Sequence, residues 1–195
     1  MAKLPPYAVL LRDLPARRSF TVAGELVSEW VKGLPMRDAL GAPAIDPDAG
    51  HGQAELELYS EGEHVFAHGT FKGHLHVACS RCVGPVRLEI DDPVRVTFMP
   101  AHELPSDDDE AAAGEDGAEI SGEDLDLFPY EGEHVDLEPL FREEFVLAVP
   151  YAPLCREDCQ GLCPQCGIDR NSGTCTCEKP IDPRLAALKG LKLPS

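Results

Sequence analysis

Residues 53–98 read QAELELYSEGEHVFAHGTFKGHLHVACSRCVGPVRLEIDDPVRVTF, and their period decides the fold. Ala54, Leu56 and Leu58 alternate with Gln53, Glu55 and Glu57, the spacing of a strand with one buried face. Ser60-Glu61-Gly62-Glu63 reads as a turn. Phe71, Gly73, Leu75, Val77 and Cys79 then share one strand face, with Lys72, His74 and His76 on the other. After Gly84-Pro85, Val86, Leu88 and Ile90 alternate with Arg87 and Glu89. Asp91-Asp92-Pro93 is expected to turn the chain before Val94, Val96 and Phe98 resume the alternation. Half-buried strands joined by short turns predict an antiparallel β-meander. Its apolar face needs a cover, which helices must supply, so the fold class is α+β.

Moving outward, Glu25 to Lys32 (ELVSEWVK) predicts a short helix with Leu26, Trp30 and Val27 inward. Asp38 to Gly52, rich in Ala, Gly, Pro and Asp, reads as a loop. Downstream, no Lys or Arg occurs between Arg95 and Arg142, while Asp and Glu crowd the stretch from Asp107 to Asp126. Self-repelling, Ala/Gly-rich sequence of this kind buries too little to order itself. Order is expected to return at Asp136, a cap for a helix carrying Leu137, Leu140, Phe141 and Ala148 on or near one stripe, with Pro150 and Pro153 ending it. Asp182-Pro183-Arg184-Leu185-Ala186-Ala187-Leu188-Lys189 has the acid, proline and late lysine of a short helix. The expected division is a β-rich body with a short N-terminal helix over 1–101, an acidic, disordered insertion over 102–135, a helix packing on the body over 136–153, and a cysteine-rich tail with a short helix over 154–195.

The chain has 195 residues, 43% of them hydrophobic, enough for one domain and an appendage. Seventeen Lys and Arg against 35 Asp and Glu leave a formal charge of −18. That balance excludes a chain built mainly to coat nucleic acid or to dock on anionic lipid. No apolar run approaches the roughly 20 residues of a membrane helix. Met1 to Leu14, interrupted by Pro5, Pro6 and Arg12, does not read as a signal peptide, and a cytoplasmic protein is expected.

A reducing compartment changes how the eight cysteines are read, from disulfides to metal ligands. Cys163-Pro164-Gln165-Cys166-Gly167 is a C-x-x-C knuckle, and Cys175-Thr176-Cys177 follows a spacer holding the turn formers Asn171 and Gly173. Two short cysteine pairs across a turn make a tetrahedral thiolate site, for which zinc is the fitting ion. Cys163, Cys166, Cys175 and Cys177 are the first choice of ligands. In a plain strand Cys175 and Cys177 would point to opposite faces, which leaves Cys155 or Cys159 as alternative ligands. A site filled by four thiolates has no open position for water, so its role is structural.

Cys79-Ser80-Arg81-Cys82 falls where two strands meet, at a hairpin tip. It admits three readings: half of a second zinc site with Cys155 and Cys159, a redox pair with Arg81 lowering a thiol pKa, or a plain structural knuckle. A redox C-x-x-C ordinarily opens a helix, which this context lacks. His74 and His76 could chelate a metal, but alternation alone places them, with His64 and His68, on solvated strand faces. No G-x-S-x-G elbow, phosphate-binding glycine loop or H-E-x-x-H motif occurs, and nothing calls for a small-molecule substrate. The acidic run suits either a solubilising linker or a decoy for a basic partner. Basic residues gather at Lys72, Arg81, Arg87 and Arg95 on the sheet and at Lys179, Arg184, Lys189 and Lys192 on the tail. Of these, Arg81, Arg184, Lys189 and Lys192 are the candidate contacts to RNA or a partner.

Several stretches taken together resemble a known family. They are Cys79-Ser80-Arg81-Cys82 after a β stretch, Val135-Asp136-Leu137-Glu138-Pro139-Leu140 leading into Glu143-Glu144-Phe145-Val146-Leu147-Ala148-Val149-Pro150, the cysteine run from Cys155 to Gly167, and the closing Asp182 to Lys189. They resemble the bacterial YceD family, the large ribosomal RNA subunit accumulation proteins, from the middle of the chain to its C-terminus. The resemblance implies a non-catalytic ribosome-biogenesis role in the production or stability of 23S rRNA of the large subunit. The partners expected are a large-subunit precursor, through a basic ribosomal or assembly protein, through 23S rRNA, or both. A direct RNA-binding zinc module and a thiol oxidoreductase at Cys79 and Cys82 are the alternatives.

Overall fold

A computed structural model of the chain describes residues 4–32, 51–104 and 126–177. The loop expected over 38–52 (but for its last two residues), most of the acidic run, and the tail with Lys179, Arg184, Lys189 and Lys192 lie outside the described residues.

The elements run β1 (Ala8–Leu10), β2 (Ala16–Val22), α1 (Gly24–Trp30), β3 (His51–Glu61), β4 (His64–Ala78), β5 (Pro85–Pro100), β6 (Leu127–Tyr130), β7 (His134–Asp136) and α2 (Glu138–Leu147). A five-stranded sheet has the order β2-β3-β4-β5-β6, and β1 pairs with β7 in a separate two-stranded ribbon. The first four strands of the large sheet are antiparallel and β6 joins β5 in parallel. The architecture is therefore α+β with a mostly antiparallel sheet.

The alternation of residues 53–58 works as its period requires: Ala54, Leu56 and Leu58 are buried and Gln53, Glu55 and Glu57 are exposed. The β3–β4 turn reverses around Gly62, whose φ of +65° suits a residue without a Cβ. Gly69 sits where a Cβ would come within 1.9 Å of the Glu55 carbonyl oxygen, so only glycine lets β3 and β4 approach there. The cover is α2 with α1. Phe141 and Phe145 are fully buried, stacking and edge-packing on Phe71 with ring centroids 5.8 and 5.3 Å away. Gly52 and Gly73 leave the hollow in the sheet that receives the Phe145 ring. From α1, Val27 is buried and Trp30 lies 6.2 Å from Phe145.

Four expectations need correction. Asp91-Asp92-Pro93 does not turn the chain: β5 runs unbroken through it, with Pro93 opposite Thr70. Proline is tolerated there because β6 pairs only with Thr97–Pro100, so that among the described residues the far side of β5 has no strand partner at Pro93. The disordered insertion expected over 102–135 does not reach that far, since Leu127–Tyr130 and His134–Asp136 are strands. Phe128 and Val135 supply the burial that holds them. The body gains the strands β1 and β2 before its helix; Arg17, Arg18 and Ser19 blur the alternation of β2 because it is an edge strand with one face in solvent. His74, expected in solvent, is 5% exposed. It lies on the central strand, flanked by His51 and Glu89, and the His51 ring is 4.6 Å from its own.

Candidate metal centre

The β4–β5 hairpin carries Cys79 and Cys82 at its tip, and the segment after α2 folds back across it. Backbone groups fasten the two. The Ser80 N–H donates to the Pro153 carbonyl (2.8 Å) and the Leu162 N–H to the Arg81 carbonyl (3.0 Å). The Arg81 guanidinium donates to the Cys159 carbonyl (2.9 Å) and reaches that of Glu157 at 3.4 Å. Gly161, at φ +69°, lies so close to Arg81 that a Cβ would stand 2.9 Å from its carbonyl oxygen.

This folding back gathers the eight cysteines into two quartets, Cys79, Cys82, Cys155 and Cys159, and Cys163, Cys166, Cys175 and Cys177, each with its sulfurs within 4.8 Å of one another. In the first, Cys79 Sγ is 3.8 Å from Cys159 Sγ and Cys82 Sγ is 3.6 Å from Cys155 Sγ. In the second, Cys175 Sγ lies 3.3 Å from Cys163 Sγ and 3.5 Å from Cys166 Sγ. These are not disulfides, whose sulfurs sit about 2.05 Å apart. Four sulfurs at about 2.3 Å from one tetrahedral ion would lie about 3.8 Å from each other, which both quartets approach. Two cysteine groups can thus each hold a metal ion.

The electrostatics fit a cation. Burial would raise the Cys79 thiol, but backbone N–H groups, those of Cys82 and Arg81 foremost, outweigh it and bring its pKa down to about 6. The N–H groups of Cys166 and Gln165 bring Cys163 down to about 6 as well. Cys177 goes the other way, up to about 12, because the thiols of Cys175 and Cys166 crowd its sulfur. Several thiolates this close repel one another unless a positive ion sits among them.

Sequence reasoning grouped Cys163, Cys166, Cys175 and Cys177, and these four lie together; no strand separates Cys175 from Cys177, and the Cys177 N–H points to Cys175 Sγ at 3.3 Å. Cys155 and Cys159, offered either as alternative ligands for that site or as partners of Cys79 and Cys82, stand with Cys79 and Cys82. Arg81, offered as a contact to RNA or a partner, spends guanidinium hydrogen bonds on the chain's own carbonyls. Arg184, Lys189 and Lys192 lie outside the described residues. Asn171, singled out only as a turn former, does more: its side-chain N–H lies 3.5 Å from Cys159 Sγ, while its Oδ1 accepts from Gln160 N–H (2.7 Å) and Arg156 (2.8 Å). It ties the loop of one quartet to the ligands of the other.

Fold and site together define an α+β domain with a cysteine-rich segment after α2 that folds back across the hairpin tip. The chain belongs to the YceD family, described as large ribosomal RNA subunit accumulation protein YceD, whose model matches residues 67–192. Uncharacterized proteins of Mycobacterium bovis and Mycobacterium tuberculosis are 32% identical to it over 154 residues, covering 79% of this chain and 68% of theirs. A chloroplastic large ribosomal RNA subunit accumulation protein YCED homolog of Zea mays is 27% identical over 138 residues, covering 63% of this chain and 47% of its own. No solved structure matches the chain. Membership supports a role in ribosome biogenesis, and the family is described by the accumulation of an RNA rather than by a reaction. Among the described residues, no helix is long and apolar enough to cross a membrane.

Proposed function

We propose that this chain is a non-catalytic, cytoplasmic ribosome-biogenesis factor that supports the synthesis, processing or stability of 23S rRNA and acts by binding. Family membership across residues 67–192 carries the reading. The charge of −18 favours a basic ribosomal or assembly protein of the large-subunit precursor as the main contact, with RNA touched only locally. In this reading Cys163, Cys166, Cys175 and Cys177 hold zinc as a structural ion, since four thiolates complete its shell and leave no position for a reacting water.

The test has two arms. Depletion of the protein is expected to lower 23S rRNA relative to 16S rRNA, with restoration by the wild-type gene. Affinity capture followed by ribonuclease is expected to retain a basic protein of the large subunit. An unchanged rRNA ratio overturns the biogenesis reading. Recovery of 23S fragments without any protein partner replaces the protein contact with direct RNA binding, whose affinity falls steeply with salt.

A further inference from the structure

Two loops of this chain, 84 positions apart in their first cysteines, share one backbone. In the tail, the Cys163 N–H donates to the Ile168 carbonyl (2.8 Å) and the Gly167 N–H to the Cys163 carbonyl (2.9 Å). At the hairpin tip, the Cys79 N–H donates to the Gly84 carbonyl (2.8 Å) and the Val83 N–H to the Cys79 carbonyl (2.9 Å). In both, the residue four after the first cysteine is left-handed, with φ +73° at Gly167 and +61° at Val83. This shape turns backbone N–H groups toward the first sulfur; at the tip the Arg81 nitrogen is 3.5 Å from Cys79 Sγ. It is the loop a metal-bound thiolate needs, because each N–H offsets part of the sulfur's charge.

Val83 sharpens the argument. Glycine adopts a left-handed φ without strain, whereas a β-branched residue there is an outlier. Among the described residues Val83 is the one non-glycine at positive φ. Its side chain is 41% exposed, so burial of an apolar group does not explain the conformation. Strain of this kind persists where the surroundings over-determine the loop; here the Val83 N–H is held by the Cys79 carbonyl and the Cys79 N–H by the Gly84 carbonyl, in a loop whose two cysteines face Cys155 and Cys159.

We propose that Cys79, Cys82, Cys155 and Cys159 form a second metal site, separate from the tail quartet, which takes a thiophilic divalent cation, zinc foremost, and clasps the tail to the tip of the sheet. The two sites are unequal. Cys79 and Cys159 are 1% and 3% exposed, whereas in the tail quartet Cys163 alone is buried. The clasp therefore shields its ion better and loses it later to a chelator. The proposal stands apart from any ribosomal role and is tested apart from it.

The experiment is a cobalt(II) titration of the reduced, unmutated full chain, read by the visible bands of tetrahedral thiolate cobalt, with zinc counted by native mass spectrometry. Two equivalents are expected. Cys163→Ser/Cys166→Ser is expected to keep one, and so is Cys79→Ser/Cys82→Ser. Val83→Gly, which leaves every thiol in place, is expected to slow release of the later zinc by about five-fold as the strain is relieved, with the earlier phase unchanged. Saturation of the unmutated chain at one equivalent overturns the proposal even where the Cys79→Ser/Cys82→Ser chain fails to fold. Two equivalents retained by the Cys79→Ser/Cys82→Ser chain overturn it as well.

Discussion

Glu144 lies half-buried on α2, facing Asp92 of β5 with Glu143 and Asp126 nearby. Burial first, then those negative neighbours, push its carboxyl up to about 7. The folded state therefore holds a proton that the unfolded chain has released by neutral pH. Stability from this group is full below the unfolded carboxylate range and is lost as pH rises through about 7. Glu144→Gln is expected to stabilise the fold at pH 8 by about 1 kcal/mol after allowance for solvent screening, raising the thermal midpoint there, and to change little near pH 5. Unfolding curves at the two pH values check it; an equal effect at both would place the cause in packing instead. Arg81 makes a second case at this scale. Its two contacts are to backbone carbonyls of the crossing segment, so Arg81→Ala is expected to cost about 1 kcal/mol and to speed proteolysis of residues 154–162 without touching the sheet. Fragment mapping by mass spectrometry distinguishes that from global unfolding.

At the scale of elements, α2 is the part that closes the core. Phe145 sits on Phe71 and over the hollow left by Gly52 and Gly73, and nothing smaller fills that space. Phe145→Ala is expected to destabilise the fold by about 3–5 kcal/mol, read from the denaturant midpoint. The β3–β4 pair has an equally specific requirement. Gly69→Ala would drive a Cβ into the Glu55 carbonyl, breaking the register Leu56 to Gly69, and is expected to abolish soluble folded protein. A normal circular dichroism spectrum and midpoint for that variant would show that the strands can separate there. The Gly69 requirement was not legible in the chain, whereas Phe145 falls four residues after Phe141, on the same helical stripe. The stripe read for α2 contained Leu137, Leu140, Phe141 and Ala148 but left out Phe145, and glycines in a strand look like weak points until the opposing side chain is known.

At the scale of the whole molecule, the apolar core of the described residues runs through the large sheet, α1 and α2 and takes in Cys79 and Cys159 of the cysteine region, with Cys82 and Leu154 packed against it. Residues 154–177 are held further by backbone bonds, by the side chains of Arg81 and Asn171 and by whatever the thiols hold. Chelation under reducing conditions is expected to release amide protection over residues 154–177 while strands over 51–104 keep theirs, because structural zinc contributes on the order of 10 kcal/mol to the segments it orders. Hydrogen exchange with and without chelator reads this directly; simultaneous loss of protection in β3 and β4 would make the metal integral to the core.

By itself the sequence determined what depends on period, local spacing and composition. Alternation at Ala54, Leu56 and Leu58 and at Val86 to Phe98 specifies strands with one buried face, because side chains in a strand alternate whatever surrounds it. Cys163 and Cys166 are drawn to one point by two intervening residues, and the excess of acid over base is simple counting. Tertiary structure alone decided what depends on meetings across the chain. Cys79 meets Cys159 across 80 positions and Cys82 meets Cys155 across 73, so among the partners that spacing left open for these four thiols only the folded chain selects one set. The same crossing redirected Arg81 from a solvent contact to a strap on Cys159, and beside it Val83 takes a backbone conformation that no valine announces in sequence. Period and spacing act within a few residues, while pairing of distant segments is settled by which faces must be buried and which thiols must share a charge.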